Sequence, residues 1–162
     1  MNNIIKENVV FRKLNENDRD LFVNLRIKFL MDCFNDKINN TDKKQIENNL
    51  YIYFDEHISK NDFIGIVGEY NGNIVSTVYL IILDYPANPN LINGKVGKLL
   101  NVYTFPEYRK KGIAKLLLEE IIKEAKSLGI NRINLNATEA GYNLYKKLGF
   151  KEETDKPMEL NL

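Results

Sequence analysis

The chain has 162 residues, 44% hydrophobic and 28% charged, an ordinary composition for one globular domain over residues 1–162. A net charge of +1 gives no global reason to expect nucleic acid or a membrane surface as partner. The single cysteine, Cys33, excludes an internal disulfide framework, residues 1–6 lack an apolar signal core, and no run of about 18 apolar residues marks a spanning helix, so a cytoplasmic protein is expected.

Residues 9–14 read as a first strand and residues 15–18 as a turn and helix cap. Leu21, Phe22, Leu25, Phe29 and Leu30 mark an amphipathic helix to about Cys33, and residues 35–40 are a polar break. Thr41 is read as the cap of a second helix, with Ile46, Leu50, Tyr53, Phe54, His57 and Ile58 along one side. Residues 62–70 read as a strand, Asn71-Gly72-Asn73 as a tight turn, and residues 74–83 as the antiparallel partner. Pro86, Pro89 and Gly94 make residues 84–98 a loop.

Residues 99–104 form an apolar strand ending in β-branched and aromatic residues, closed by Pro106. A helix follows from Gly112, with Ile113, Ala114, Leu117, Leu118, Ile121, Ala125 and Leu128 on one face and Gly129 at its end. Residues 131–137 read as a strand and residues 139–148 as a short helix that groups Ala140, Leu144 and Leu148. Residues 150–153 and 158–162 are expected to form a terminal hairpin interrupted by Asp155-Lys156-Pro157. A hairpin followed by strand–helix–strand predicts an α/β, α+β-like architecture, a mixed sheet with helices on both faces.

The chemistry concentrates at the strand–helix junction. A helix start presents unpaired N–H groups and the positive end of the macrodipole, which suit phosphate. Gly112 keeps the approach open, Ala114 is small, and Arg109, Lys110, Lys111 and Lys115 add charge, so the turn with Ile113 reads as a pyrophosphate site. By spacing alone, a basic helix start with solvated lysines explains the same residues equally well. There is no Gly-x-x-x-x-Gly-Lys-Ser/Thr run and no Gly-x-Gly-x-x-Gly fingerprint.

Arg109-x-x-Gly112-x-Ala114, preceded by Val102-Tyr103-Thr104-x-Pro106-Glu107-Tyr108, resembles the acyl-CoA-binding motif of the GNAT superfamily of N-acetyltransferases. Leu144-Tyr145-Lys146-Lys147-Leu148-Gly149-Phe150 resembles that family's late helix and the Gly-Phe entering its last strands. The resemblance implies a GNAT fold, whose mostly antiparallel mixed sheet has a splayed parallel pair that leaves a groove for pantetheine. It implies that acetyl-CoA is the co-substrate, with no metal, and that the acceptor is a primary amine of a small molecule or peptide. Neither nucleic acid nor membrane is expected as partner; a homodimer is left open. By resemblance, the backbone of Val102, Tyr103 and Thr104 pairs with pantetheine, the Val102 N–H meets the acyl oxygen, and Tyr145 protonates the departing thiolate. Where many relatives carry Asn before the late helix this chain has Thr138, and Asn136 is the nearby polar substitute; by resemblance both are expected to bind the cofactor at its pantetheine end, and Gly141, in place of a frequent alanine, to leave room for ligand.

No base is singled out: Glu69, a water chain and Tyr103 stay open. His57, the one histidine, reads as packed or surface, and Cys33 as a small core residue. No His/Cys/carboxylate cluster has metal-ligand spacing. The first two helices and the 84–98 loop are expected to set the acceptor, and Asp32, Asp36, Asp55, Glu56 and Asp84 favour a cation or are simply solvated. The competing readings are transfer of another acyl group and a CoA-binding sensor or scaffold of the same fold without catalysis.

Overall fold

Two long antiparallel strands, β2 (Phe63–Tyr70) and β3 (Asn73–Asp84), form the centre of a five-stranded sheet in a computed structural model that describes residues 7–34, 37–154 and 157–162. Their two-residue turn, Asn71-Gly72, has φ of 50° and 75°, the left-handed pair that a tight hairpin requires and that Asn and Gly tolerate best. β1 (Val10–Lys13) pairs with β2, and β4 (Lys95–Thr104) pairs with β3, both antiparallel. β5 (Arg132–Asn134) pairs with β4 in parallel, giving the spatial order β1-β2-β3-β4-β5. This is the mixed sheet expected from the order of elements.

Strand alternation assigns the two faces. Ile64, Ile66, Val78, Leu80 and Leu99 point to α3 (Ile113–Ser127), which returns Leu117, Leu118, Ile121 and Ala125. Phe63, Val67 and Tyr79 point the other way, to α1 (Arg19–Phe34) and α2 (Asn40–His57). There Phe22 is the hub, with ring centroids 5.1 Å from Phe54, 5.3 Å from Phe63 and 5.0 Å from Tyr79. The last helix, α4 (Glu139–Lys147), lays Leu144, Tyr145 and Leu148 at the edge of the α3-side core.

Several boundaries differ from expectation. The cap of α2 is Asn39 rather than Thr41: its Oδ1 accepts the Asp42 N–H at 2.9 Å. β4 begins at Lys95 instead of residue 99, because the β3 ladder continues to Asp84↔Lys95, where the side chains form a 3.1 Å ion pair. The lysines at 95 and 98 and a glycine at 97 hid this half of the strand from an apolar pattern. β5 covers three residues rather than 131–137, since it has a ladder partner only opposite residues 96–98. The terminal hairpin does not form among the described residues: 150–154 and 157–162 contain no strand, and Met158 and Leu160 are 96% and 82% exposed. Leu128 caps α3 with its side chain exposed, and Cys33 is exposed rather than packed. Residues 1–6, 35–36 and 155–156, which include Asp36 and part of the expected polar break, lie outside the described residues.

Leu118 is wholly buried between α3 and the sheet. Leu118→Ala should lower the unfolding free energy by about 2–5 kcal/mol in urea denaturation, the usual cost of removing a packed leucine; a loss below about 1 kcal/mol would mean that the α3 face collapses around the gap.

Candidate active site

β4 is the strand on which the site is built, and it breaks two regularities. Its first half pairs with β5 at Val96↔Arg132, Gly97↔Ile133 and Lys98↔Asn134. From residue 99 to 104 that edge has no strand neighbour among the described residues. The unpaired N–H and C=O groups of such an edge are a template for an extended polar chain. Lys98 spans the fork where the strands part, its Nζ donating to Asn136 Oδ1 at 3.0 Å. Asn136, expected at the pantetheine arm, is therefore engaged at the closed end of the fork.

The second irregularity is a bulge. Tyr79 faces Leu100 and Thr77 faces Tyr103, so Asn101 and Val102 together oppose Val78. Asn101 has φ +54°, a left-handed conformation that asparagine adopts more readily than most residues. The extra residue reverses the side-chain alternation beyond it. Leu99 packs on the α3 side and Leu100 on the α1 side; after the bulge Val102 returns to the α3-side core and Tyr103 turns to α1.

On the α1 side Tyr103 packs edge-to-face on Phe29 at 6.0 Å, and its hydroxyl donates a hydrogen bond to Asp32. Burial and this carboxylate push the Tyr103 phenol up to about 12. Arg109 closes the group: its Nε donates to the Thr104 carbonyl at 2.8 Å, its guanidinium stands 5.5 Å from the Tyr103 ring, and Nη2 lies 3.8 Å from Asp32. Arg109, expected to add charge for phosphate, thus also holds the end of β4. Lys111 donates to the Glu107 carbonyl at 2.5 Å and lies over the Tyr108 ring, and Lys115 pairs with Glu119 at 3.3 Å. Lys110 is exposed, with φ +60°.

What remains open at the turn is mainly backbone. Gly112 caps α3 at φ +80°, a conformation in which a side chain is strained, and it is exposed. The first helical bond runs from the Leu116 N–H to the Gly112 carbonyl at 3.4 Å, so the N–H groups of Ile113, Ala114 and Lys115 have no intrahelical acceptor. This donor set, at the positive end of a 15-residue helix, fits a phosphate group.

Tyr145, Leu144, Leu148 and Phe150 pack against the same α3-side core cluster that Val102 borders. Its ring meets Phe150 at 5.8 Å, and its hydroxyl makes no hydrogen bond among the described residues. Burial raises its pKa, which keeps the phenol protonated at neutral pH. Gly141 leaves room for Tyr145 itself rather than for a ligand: a β-carbon there would stand 2.8 Å from the ring. Thr138 caps α4, its Oγ1 accepting the Gly141 N–H at 3.3 Å, and has a structural task where a pantetheine contact was expected.

The other candidates are engaged elsewhere. Glu69 is held by Arg12 Nε at 2.6 Å, and Arg12 also grips Asp18 through both terminal nitrogens. His57 stacks on Tyr53 at 4.3 Å and contacts Asp62 at 3.0 Å, beside the start of β2 and so at the opposite end of the sheet from Thr104. Asp55 pairs with Arg19 at 2.6 Å and Asp84 with Lys95. Sequence reading missed Arg26, whose Nη1 donates to Asn101 Oδ1 at 3.2 Å. An asparagine inside an otherwise apolar strand was the available signal, since that residue is depleted in strands and enriched at irregularities.

Residues 27–150 match the model of the Acetyltransferase (GNAT) family. The chain belongs to this family. Its structure is similar to that of a predicted acetyltransferase from Clostridium acetobutylicum, solved with acetyl-CoA, at 33% identity and a TM-score of 0.83, over 94% of this chain and 96% of that one. A GCN5-related N-acetyltransferase from Ralstonia eutropha shares the fold at 22% identity and a TM-score of 0.79, over 94% and 98% of the two chains. Glucosamine-6-phosphate N-acetyltransferase from Arabidopsis thaliana does so at 20% identity and a TM-score of 0.67, over 94% and 97%. No protein of curated function matches the sequence significantly. The GNAT fold anticipated from the two motifs is the fold observed, and no described helix is long and apolar enough to cross a membrane.

The Tyr103–Asp32 pair makes a pH prediction. A titration of phenolate absorbance, taken as the difference between wild type and Tyr103→Phe, should place Tyr103 at about 12 instead of the ordinary value near 10. The folded protein favours the neutral phenol, so the stabilisation is complete below pH of about 10 and disappears as pH rises through the folded value. Asp32→Asn should move the midpoint down. A wild-type midpoint near 10 would mean that the pair does not exist in solution.

Proposed function

We propose that this GNAT protein transfers an acetyl group from acetyl-CoA to a primary amine of a small molecule or peptide by direct attack. The observation that carries the reading is the open 99–104 edge of β4 leading to the unpaired N–H groups at the start of α3. The edge offers backbone partners to the amides of an extended arm, and the helix start offers donors to the pyrophosphate at its end. Acetyl-CoA supplies the thioester as co-substrate. The similarity to a chain solved with acetyl-CoA supports this choice of donor.

The residues divide the work by face. The Val102 backbone N–H, beside the bulge, is the donor that meets the acyl oxygen as charge develops on it. Tyr145, on the α3 side, keeps its proton at neutral pH and offers it to the departing sulfur. An ammonium with a pKa of about 10.4 must lose a proton before it attacks. On the α1 side Asp32 is the carboxylate that receives it, by way of the Tyr103 hydroxyl that already donates to it. Tyr103 alone is a poor base, because its phenolate forms only near pH 12.

Binding and chemistry are tested separately. CoA or acetyl-CoA at about 100 times its dissociation constant should stabilise the wild type by about 2.7 kcal/mol, read as a rise in melting temperature. Gly112→Asp should abolish most of that rise while the apoprotein still melts cooperatively, since a carboxylate there repels phosphate. If CoA stabilises Gly112→Asp as well as wild type, the helix start is not the phosphate site.

Tyr145→Phe should reduce turnover by about 10²–10⁴-fold, the usual contribution of a general acid, with CoA stabilisation unchanged. Unimpaired turnover under conditions where chemistry limits the rate would return Tyr145 to a packing role and open the alternative of a CoA-binding sensor.

A further inference from the structure

Among the described residues, Arg26 is a cation without an anion. It lies on α1, partly buried against β4, with its guanidinium 5.3 Å from the Phe29 ring. It forms no ion pair among the described residues; its hydrogen bond goes to the neutral Asn101 Oδ1. Burial lowers its pKa, and no carboxylate acts against that shift. A buried arginine normally has a carboxylate or its equivalent, because the desolvation cost is otherwise uncompensated.

Asn101 has the complementary deficit. The residue is 4% exposed, and its Nδ2 is buried without an acceptor among the described residues. Rotating the amide does not help: Arg26 has only donors, so Oδ1 must face it and Nδ2 must face away. The two side chains therefore converge with unused N–H groups and nothing among the described residues to accept them. A group that only accepts, and that carries negative charge, satisfies both.

The position of this pair gives it a function, and the inference rests on the acetyltransferase reading above. Asn101 is the bulge residue, directly before Val102, and its side chain is on the α1 side with Tyr103 and Asp32. Asp32 stands six residues beyond Arg26 on α1, a rise of roughly 9 Å, the span of a small molecule. We infer that Arg26 and Asn101 bind the anionic group of the acceptor, a carboxylate or phosphate carried by the same small molecule as the reacting amine, and hold that amine towards Val102. Asp32 then faces the cationic end of the acceptor and Arg26 the anionic end. Amines that carry no anion, such as polyamines, lack the second anchor.

The experiment compares twin acceptors that differ in the anion: L-lysine against cadaverine, and glucosamine 6-phosphate against glucosamine, each assayed for thiol release from acetyl-CoA. The anionic member of at least one pair should be favoured by ten-fold or more in kcat/KM, and the pair that shows it tells carboxylate from phosphate. Arg26→Gln should bring that ratio to within about two-fold. Asn101→Asp should do the same by a different route, since it supplies Arg26 with an internal carboxylate, and it carries the test if Arg26→Gln fails to fold. Ratios near one in both wild-type pairs, no turnover of any of the four amines, or an unchanged ratio in either variant would overturn the inference. CoA stabilisation is measured on the same samples. If the wild type turns over an amine and the ratios fail, the anion site alone is wrong; if it turns over none of them, or CoA does not stabilise it, the acetyltransferase reading has failed.

Discussion

The bulge at Asn101 is the constraint on which the site depends. A regular strand would direct Leu99, Asn101 and Tyr103 to one face. One additional residue opposite Val78 instead gives Val102 to the α3 side and Tyr103 to the α1 side. The same irregularity puts a left-handed residue in the middle of a buried strand, a strained choice that asparagine reduces through its tolerance of positive φ. Its side chain is then fixed by Arg26 from α1, so helix and bulge hold each other in place. Bulges of this kind re-aim side chains next to working sites, and here the re-aiming separates the two kinds of chemistry proposed for the two faces.

The parting of β4 from β5 follows from pairing that simply stops. After Lys98↔Asn134 the two chains no longer share a ladder, and Lys98 reaches Asn136 across the gap. A sheet edge inside a protein usually demands cover. This one runs directly into the turn that starts α3, where further N–H groups are unpaired. Two sets of unsatisfied backbone donors thus lie in continuity, and an elongated molecule with amides along it and phosphates at one end would answer both. In that reading backbone would supply most of the contacts, and side-chain identity along residues 102–104 would carry little of the recognition.

Charge around the turn is arranged differently from its appearance in the chain. Four cations within seven residues suggest a phosphate clamp, yet Arg109 supports the Thr104 carbonyl and borders the Tyr103–Asp32 pair, Lys111 folds back on Glu107, and Lys115 faces Glu119. Exposed pairs of this kind contribute little to stability, but they orient the turn. The less conspicuous cation, Arg26, is the one left with an electrostatic deficit, because it sits where water cannot fully replace a partner.

Residue order alone determined the mixed sheet, the Asn71-Gly72 hairpin, the α3 stripe and the glycine at its start, because each depends on local conformational preference or on apolar periodicity. The pair of motifs at 102–114 and 144–150 was sufficient to identify the GNAT fold. What lay outside reach were relations between segments distant in the chain. The first half of β4 was hidden because its lysines find partners at Asp84 and Asn136. The terminal hairpin was expected over residues 150–153 and 158–162, but an apolar stretch becomes a strand only where a ladder partner exists, and Met158 and Leu160 are exposed. Tyr103 was legible as an aromatic residue of a strand, while its orientation required the bulge and its raised pKa required Asp32, 71 residues away. Arg26 and Asn101, 75 residues apart, became a pair only when α1 was laid across β4. Periodicity specifies which face of an element is apolar; only tertiary packing decides which two faces meet, and therefore which polar groups are left to bind something else.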